Sequence, residues 1–226
     1  MKQKIIKAEP IEGKYVVLGD VLNSRANTDK TKLRVRLIEA LKYINSKFRK
    51  DIFIPFEIYK GIDEIGGVIN TPGNLYNIFD YLNNETYPAS IRIVAVNSLF
   101  DLYDKSNKTS HLDGHAFHLA AENMNALKKK KGYFNINSGK YNRKYFDDLA
   151  INQIVNLIHV IKSRMTERQR EIGLLARQNF NSINQIGIAD KLGISQQAVS
   201  DALRSSNYYE VLEAEISVNA MLDKPR

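Results

Sequence analysis

Apolar residues along the first 139 positions follow two periods, one of two residues and one close to 3.6. Tyr15 to Gly19 (YVVLG) is an unbroken apolar run closed by Asp20, which predicts a buried strand followed by a loop. From Thr31 to Phe48 the residues Leu33, Leu37, Leu41, Ile44 and Phe48 return at helical spacing. Ile52 to Tyr59 is rich in β-branched and aromatic side chains, Gly61 marks a turn, and Ile65 to Ile69 reads as the returning arm of a hairpin. Leu75 to Leu82 is again helical, with Pro72-Gly73 just ahead of it, and Ile91 to Val96 is a strand. Asp113 to Lys131 reads as a helix stopped by Gly132, and Tyr133 to Ile136 is long enough for a last strand.

The resulting order is βαββαβ followed by αβ, which predicts an α+β domain of the ferredoxin-like palm type. After Gly139 the strand signal disappears. Leu149, Ile151, Ile154, Leu157, Ile158 and Ile161 make one helical face from Phe146 onward. Thr166-Glu167-Arg168-Gln169 fits a capping box that opens another helix through Ile172, Leu175 and Ala176. The boundary is expected between Gly139 and Tyr145, giving an α+β domain over 1–140 and an all-helical domain over 141–226.

The most specific segment is IADKLGISQQAVSDALR, Ile188 to Arg204. Ile188, Ala189 and Leu192 form the packed side of a short helix, and Ala189 is small where a second helix must cross closely. Gly193 stands where a turn needs a left-handed backbone. Ile194 plugs that turn, and Ser195 can accept a hydrogen bond from the free amides of the next helix. Val199 and Leu203 then face inward, which leaves Gln196, Gln197, Ser200 and Arg204 outward. Glutamine and serine can bond base edges or phosphates, and arginine a phosphate or a guanine. The stretch, about 185–204, resembles the helix-turn-helix of sigma-factor region 4 and related regulators, in which the second helix enters the major groove. Thr166 to Gln178 is similar to the helix that leads into such a unit. Double-stranded DNA is the expected partner through Ser195, Gln196, Gln197, Ser200 and Arg204. A helix-turn-helix used only for packing is the alternative.

Charge is compatible with that partner without requiring it. The 226 residues carry 33 Lys+Arg against 25 Asp+Glu, a formal net charge of +8. The first 139 residues hold 21 basic and 15 acidic side chains, and the remainder 12 and 10. Part of the N-terminal excess is the run Lys128 to Lys131, placed where a helix C-terminus favours cations by about 0.3–1 kcal/mol. A phosphate-contacting patch is the other reading of that run. There is no cysteine, which excludes a disulfide framework, cysteine-ligated zinc and a thiol nucleophile. The polar N-terminus does not read as a signal peptide, and no apolar run approaches the roughly 18 residues of a membrane span. A cytoplasmic protein with no membrane partner is expected.

Two acidic positions invite a catalytic reading. Asp20 ends the first strand and Asp63-Glu64 sits in the hairpin, places that a βαββαβ palm brings close together. Asp20, Asp63 and Glu64 are therefore candidate ligands for Mg²⁺, which prefers hard oxygen donors, and two such ions can support phosphoryl transfer from a nucleoside triphosphate. His115 and His118 share helical spacing and are read as helix-surface residues. No Ser/His/Asp arrangement or phosphate-cradling loop stands out, and no catalytic residue is assigned.

The arrangement resembles the palm of class III nucleotide cyclases and diguanylate cyclases. It resembles the SatD family over nearly the whole chain, through VVLGDVLNSR (Val16–Arg25), IDEIGG (Ile62–Gly67), IRIVAV (Ile91–Val96) and DGHAFHLAAENM (Asp113–Met124). The family resemblance implies a cyclase-like fold and a C-terminal helix-turn-helix. The chain departs from that pattern at Ile62, where relatives place a glycine before the hairpin aspartate and this chain has it at Gly61. Val94 and Val96 replace strand glycines that admit a nucleotide, and Ala121 replaces an arginine. These departures predict a poor catalyst. The expected function is a DNA-binding transcriptional regulator whose palm serves sensing or dimerisation. The rivals are a metal-dependent nucleotidyl transferase or cyclase using Asp20 and Asp63, and a nucleotide sensor without turnover. A homodimer is expected, with Val211, Leu212, Ile216, Val218 and Met221 of the segment Tyr208 to Met221 as its apolar face. The alternative is that this segment folds back on the helix beginning near Phe146.

Overall fold

A computed structural model describes residues 9–22, 30–61, 63–102, 112–139, 145–178 and 184–223. The elements run β1 (Glu9–Ile11), β2 (Tyr15–Val21), α1 (Lys30–Lys47), β3 (Ile52–Lys60), β4 (Glu64–Ile69), α2 (Leu75–Glu85), β5 (Ile91–Asn97), β6 (Phe100–Leu102), β7 (Leu112–Asp113), α3 (His115–Lys129) and β8 (Phe134–Asn137). The helices α4 (Tyr145–Ser163), α5 (Glu167–Gln178), α6 (Gln185–Leu192), α7 (Gln196–Ser205) and α8 (Tyr208–Asp223) follow. The class is mixed α and β.

Five strands form one sheet in the order β3-β4-β2-β5-β8. β2 lies antiparallel to both β4 and β5, and β5 runs parallel to β8. In the central strand β2, Tyr15 to Leu18 and Val21 are all buried, which explains a continuous apolar run in place of an alternating one. One face carries Val16, Leu18, Ile54, Val68, Val94 and Val96 beneath Ala116, Ala120, Met124 and Leu127 of α3. α2 is tied to β8 by Phe79, whose ring meets Phe134 edge-on at 5.3 Å, and α1 lies beside α2. Gly67 is required because a Cβ there would stand 2.8 Å from the Phe56 ring and 3.1 Å from its Cα.

Asparagine amides finish the strands that the sheet leaves open. At one edge, Asn45 of α1 accepts from the Phe56 amide (2.8 Å) and donates to its carbonyl (2.9 Å). At the other, Asn152 of α4 does the same for Ile136 of β8, at 2.7 and 3.0 Å. Asn83 of α2 accepts from the Ile91 amide at 2.8 Å where β5 begins. A primary amide carries one acceptor and two donors, so it can stand in for a missing strand partner.

A second sheet, β1-β6-β7, is antiparallel and was not foreseen, because strands of two and three residues carry too little pattern to read. Asp113, expected to open α3, belongs to β7 instead. Gly114, with φ +110°, precedes the helix.

The chain divides into two compact units, 1–153 with 219–226, and 154–218. The expected division near residue 140 falls earlier than this one. The start of α4 belongs to the sheet unit, where Asp148 takes the Ser138 amide at 2.6 Å and Asn152 closes β8. In the helical unit Ile172, Leu175, Ile188, Ala189, Val199, Leu203 and Tyr208 form one core from α5, α6, α7 and the start of α8. The capping box at α5 is reciprocal: Gln169 N donates to Thr166 Oγ1 (3.2 Å) and Thr166 N to Gln169 Oε1 (2.9 Å).

α8 buries Tyr208, Val211, Glu215, Val218 and Leu222, a stripe at spacings of three and four residues. Ile216, expected on its apolar face, is 59% exposed. Glu215 meets Lys162 of α4 (3.1 Å) and Arg177 of α5, so the tail is anchored within its own chain.

Candidate functional site

The acidic positions singled out from the sequence converge at one end of the sheet. Register pairs Asp20 with Glu64 on one side and with Arg92 on the other. Asp63 joins them through its backbone, its carbonyl accepting from Val21 N at 3.2 Å. Ile62 lies outside the described residues.

Asp20 is engaged by cations. Lys128 Nζ lies 3.0 Å from one carboxylate oxygen and Arg92 Nη1 3.6 Å from the other. Arg92 is fixed in turn by donating Nε to the Gly132 carbonyl at 2.9 Å. Lys128, read from the sequence as a helix-end cation or a phosphate contact, therefore bonds Asp20. Glu64 pairs with Lys60 at 3.5 Å. The Tyr59 hydroxyl is pushed up to about 12, first by burial, then by the charge of Glu64, its hydrogen bond to Glu64, and the charge of Asp20. The result is an alternating network of acids and bases. Among the described residues no three His, Asp or Glu side chains come together as a metal-holding group. A two-metal centre needs carboxylates free to face the ions, and Asp20 already faces two bases. The donor set does not fit that centre. Val94 and Val96 are fully buried beneath α3.

The opposite end of the same sheet holds a cavity of about 800 Å³. It opens where β5 and β8 end, beside the first turn of α3, and Asn97, Ser98, His115, Glu122 and Asn137 are among its walls. Ser98 Oγ and His115 Nδ1 are 2.8 Å apart. Behind the wall, Ser138 donates to buried Asp148 (2.9 Å) and accepts from Tyr15 OH (3.1 Å), so this side is fixed by a buried relay. Sequence reasoning passed over the cavity. Of its residues only His115 carried a signal, as one of two histidines at helical spacing.

In the helical unit, α6 and α7 are joined through Gly193, in the left-handed region at φ 63° and ψ 38°. Asn184 caps α6 by accepting from Gly187 N, and Ser195 caps α7 by accepting from Ala198 N, both at 3.1 Å. Val199 and Leu203 are buried. Ser195, Gln196, Gln197 and Arg204 are exposed and Ser200 is half-buried. Asp201 pairs with Arg204 at 2.5 Å and accepts from Gln197 at 3.1 Å, a link the sequence reading did not make.

A family model described as the SatD family matches residues 15–217. The chain belongs to the SatD family. Among curated proteins none matches it. This SatD-family chain is also similar to a solved structure of a bacterial light-regulated adenylyl cyclase, at 16% identity and a TM-score of 0.41. That match covers 67% of this chain and 58% of the cyclase chain. No helix among the described residues is long and apolar enough to cross a membrane.

Proposed function

We propose that this SatD-family chain is a cytoplasmic DNA-binding transcriptional regulator, with α6 and α7 as its helix-turn-helix and the sheet unit as a cyclase-like palm that serves sensing or dimerisation. The observation that carries the reading is the left-handed turn at Gly193 followed by the Ser195-capped α7. Its inner side is Val199 and Leu203, and its outer side is Gln196, Gln197, Ser200 and Arg204. Such a helix has the length, rigidity and outward donors that major-groove reading needs. The order β3-β4-β2-β5 with antiparallel neighbours is what a βαββαβ palm requires, and it supports the palm reading. Metal-dependent nucleotidyl chemistry receives no support from Asp20, whose carboxylate is committed to Lys128 and Arg92.

Titration of the full chain onto duplex DNA at several salt concentrations tests the reading. Arg204→Ala should weaken binding and reduce the logarithmic salt slope by about 0.9, the loss of one phosphate contact. An unchanged affinity and slope would remove α7 as the reading helix. Paired half-sites call for two copies, so the full chain should sediment as a homodimer.

A further inference from the structure

We propose that the cavity at the β5–β8 end of the sheet binds a small organic cation, an amine-bearing molecule whose ammonium groups are taken by Glu12 and Glu122. The cleft, about 800 Å³, is of the size that holds small-molecule ligands. Its charge runs against the rest of the molecule. The chain as a whole is at +8, yet among the described residues lining the cavity there are two carboxylates and no lysine or arginine. Glu12 and Glu122 are exposed, so an entering cation can reach both. The two lining carboxylates repel a nucleotide or other polyanion, whereas an ammonium finds acceptors on two elements, the β1–β2 connection and α3.

The remaining lining suits the same class of ligand. Leu119 offers apolar surface to methylene groups, and Asn137 and Ser98 offer oxygen acceptors to N–H donors. Ser98 is positioned by its 2.8 Å contact with His115 Nδ1. The wall beyond Asn137 is held by the Tyr15–Ser138–Asp148 relay, so the site exists before the ligand arrives.

Calorimetric titration of the full chain, without DNA, tests the proposal with spermidine as the cationic probe, adenosine as the neutral one and ATP as the anionic one. Spermidine should bind, and adenosine and ATP should bind more weakly or not at all. Glu122→Gln and Glu12→Gln are isosteric exposed changes that leave the fold in place. Each should weaken spermidine about fivefold, and the double variant about twentyfold. Absence of spermidine binding, equal binding by the double variant, or tighter binding of ATP or adenosine would overturn the proposal. None of these outcomes bears on DNA binding, because no DNA is present.

Discussion

Asp20 and Glu215 are each met by two bases, one pair in the sheet unit and one in the helical unit, yet their settings differ. The Asp20 side chain is 15% exposed, at the open end of a strand, with Lys128 and Arg92 on it. The Glu215 side chain is 3% exposed, in the middle of the buried stripe of α8, with Lys162 and Arg177 on it. The carboxylate is the more solvated at Asp20, while the cations that meet the two acids are exposed to similar degrees. The same chemical motif is therefore a partly solvated tie in one unit and an internal support in the other. Asp20 sits where chemistry is usually sought, at a strand end beside a hairpin acid, yet its carboxylate, like that of Glu215, meets bases from two other elements.

The sharpest way to break this comparison is to delete the acids in turn. Glu215→Ala removes the nearly buried carboxylate and leaves Lys162 and Arg177 without it, and should cost about 3–5 kcal/mol in urea denaturation. Asp20→Ala, which removes a carboxylate that is itself partly solvated, should cost about 1–3 kcal/mol. Equal losses would mean that burial does not separate the two ties. A stable Asp20→Ala chain that loses a nucleotide turnover present in the parent would return Asp20 to a catalytic role.

A smaller effect reports on the sheet end alone. Tyr59 holds its proton to about pH 12 in the folded chain, while an unfolded tyrosine releases it near pH 10. Its folded value is the raised one, so the stabilisation is whole below about pH 10 and is lost as pH rises through about 12. Glu64→Gln should move the Tyr59 transition down toward the ordinary tyrosine value. Ultraviolet titration against a Tyr59→Phe control isolates that one ring, and an unmoved transition would separate Tyr59 from Glu64.

The contrast also explains which parts of the molecule were legible from sequence. Every strand of the five-stranded sheet and all three helices that flank it follow from apolar spacing, because each buries a continuous face. Gly193 and Ser195 were readable because a left-handed turn and a helix cap each need a particular residue type. Glu215 was not, since an acid at the centre of an apolar stripe reads as a solvent-facing position until its partners on α4 and α5 arrive from about fifty and forty residues away. That Asp20, Asp63 and Glu64 come to one end of the sheet was legible, but the pairing of Asp20 with Lys128 and Arg92 was not, because a salt bridge over such separations leaves no local pattern. The cavity was invisible for a related reason. Its walls come from the β1–β2 connection and the ends of β5, α3 and β8, and no one segment carries a motif.

The asparagines on the outer strands reach beyond the fold of one chain. A bare sheet edge is a template on which another polypeptide can continue the ladder, and that route underlies both strand-exchange partnerships and fibril growth. Here Asn45 occupies the amide and carbonyl of Phe56, Asn152 those of Ile136, and Pro55 removes a donor from β3. Each asparagine thus takes one residue's amide and carbonyl out of the pairing that an added strand would need, and the edge is blunted from within the chain.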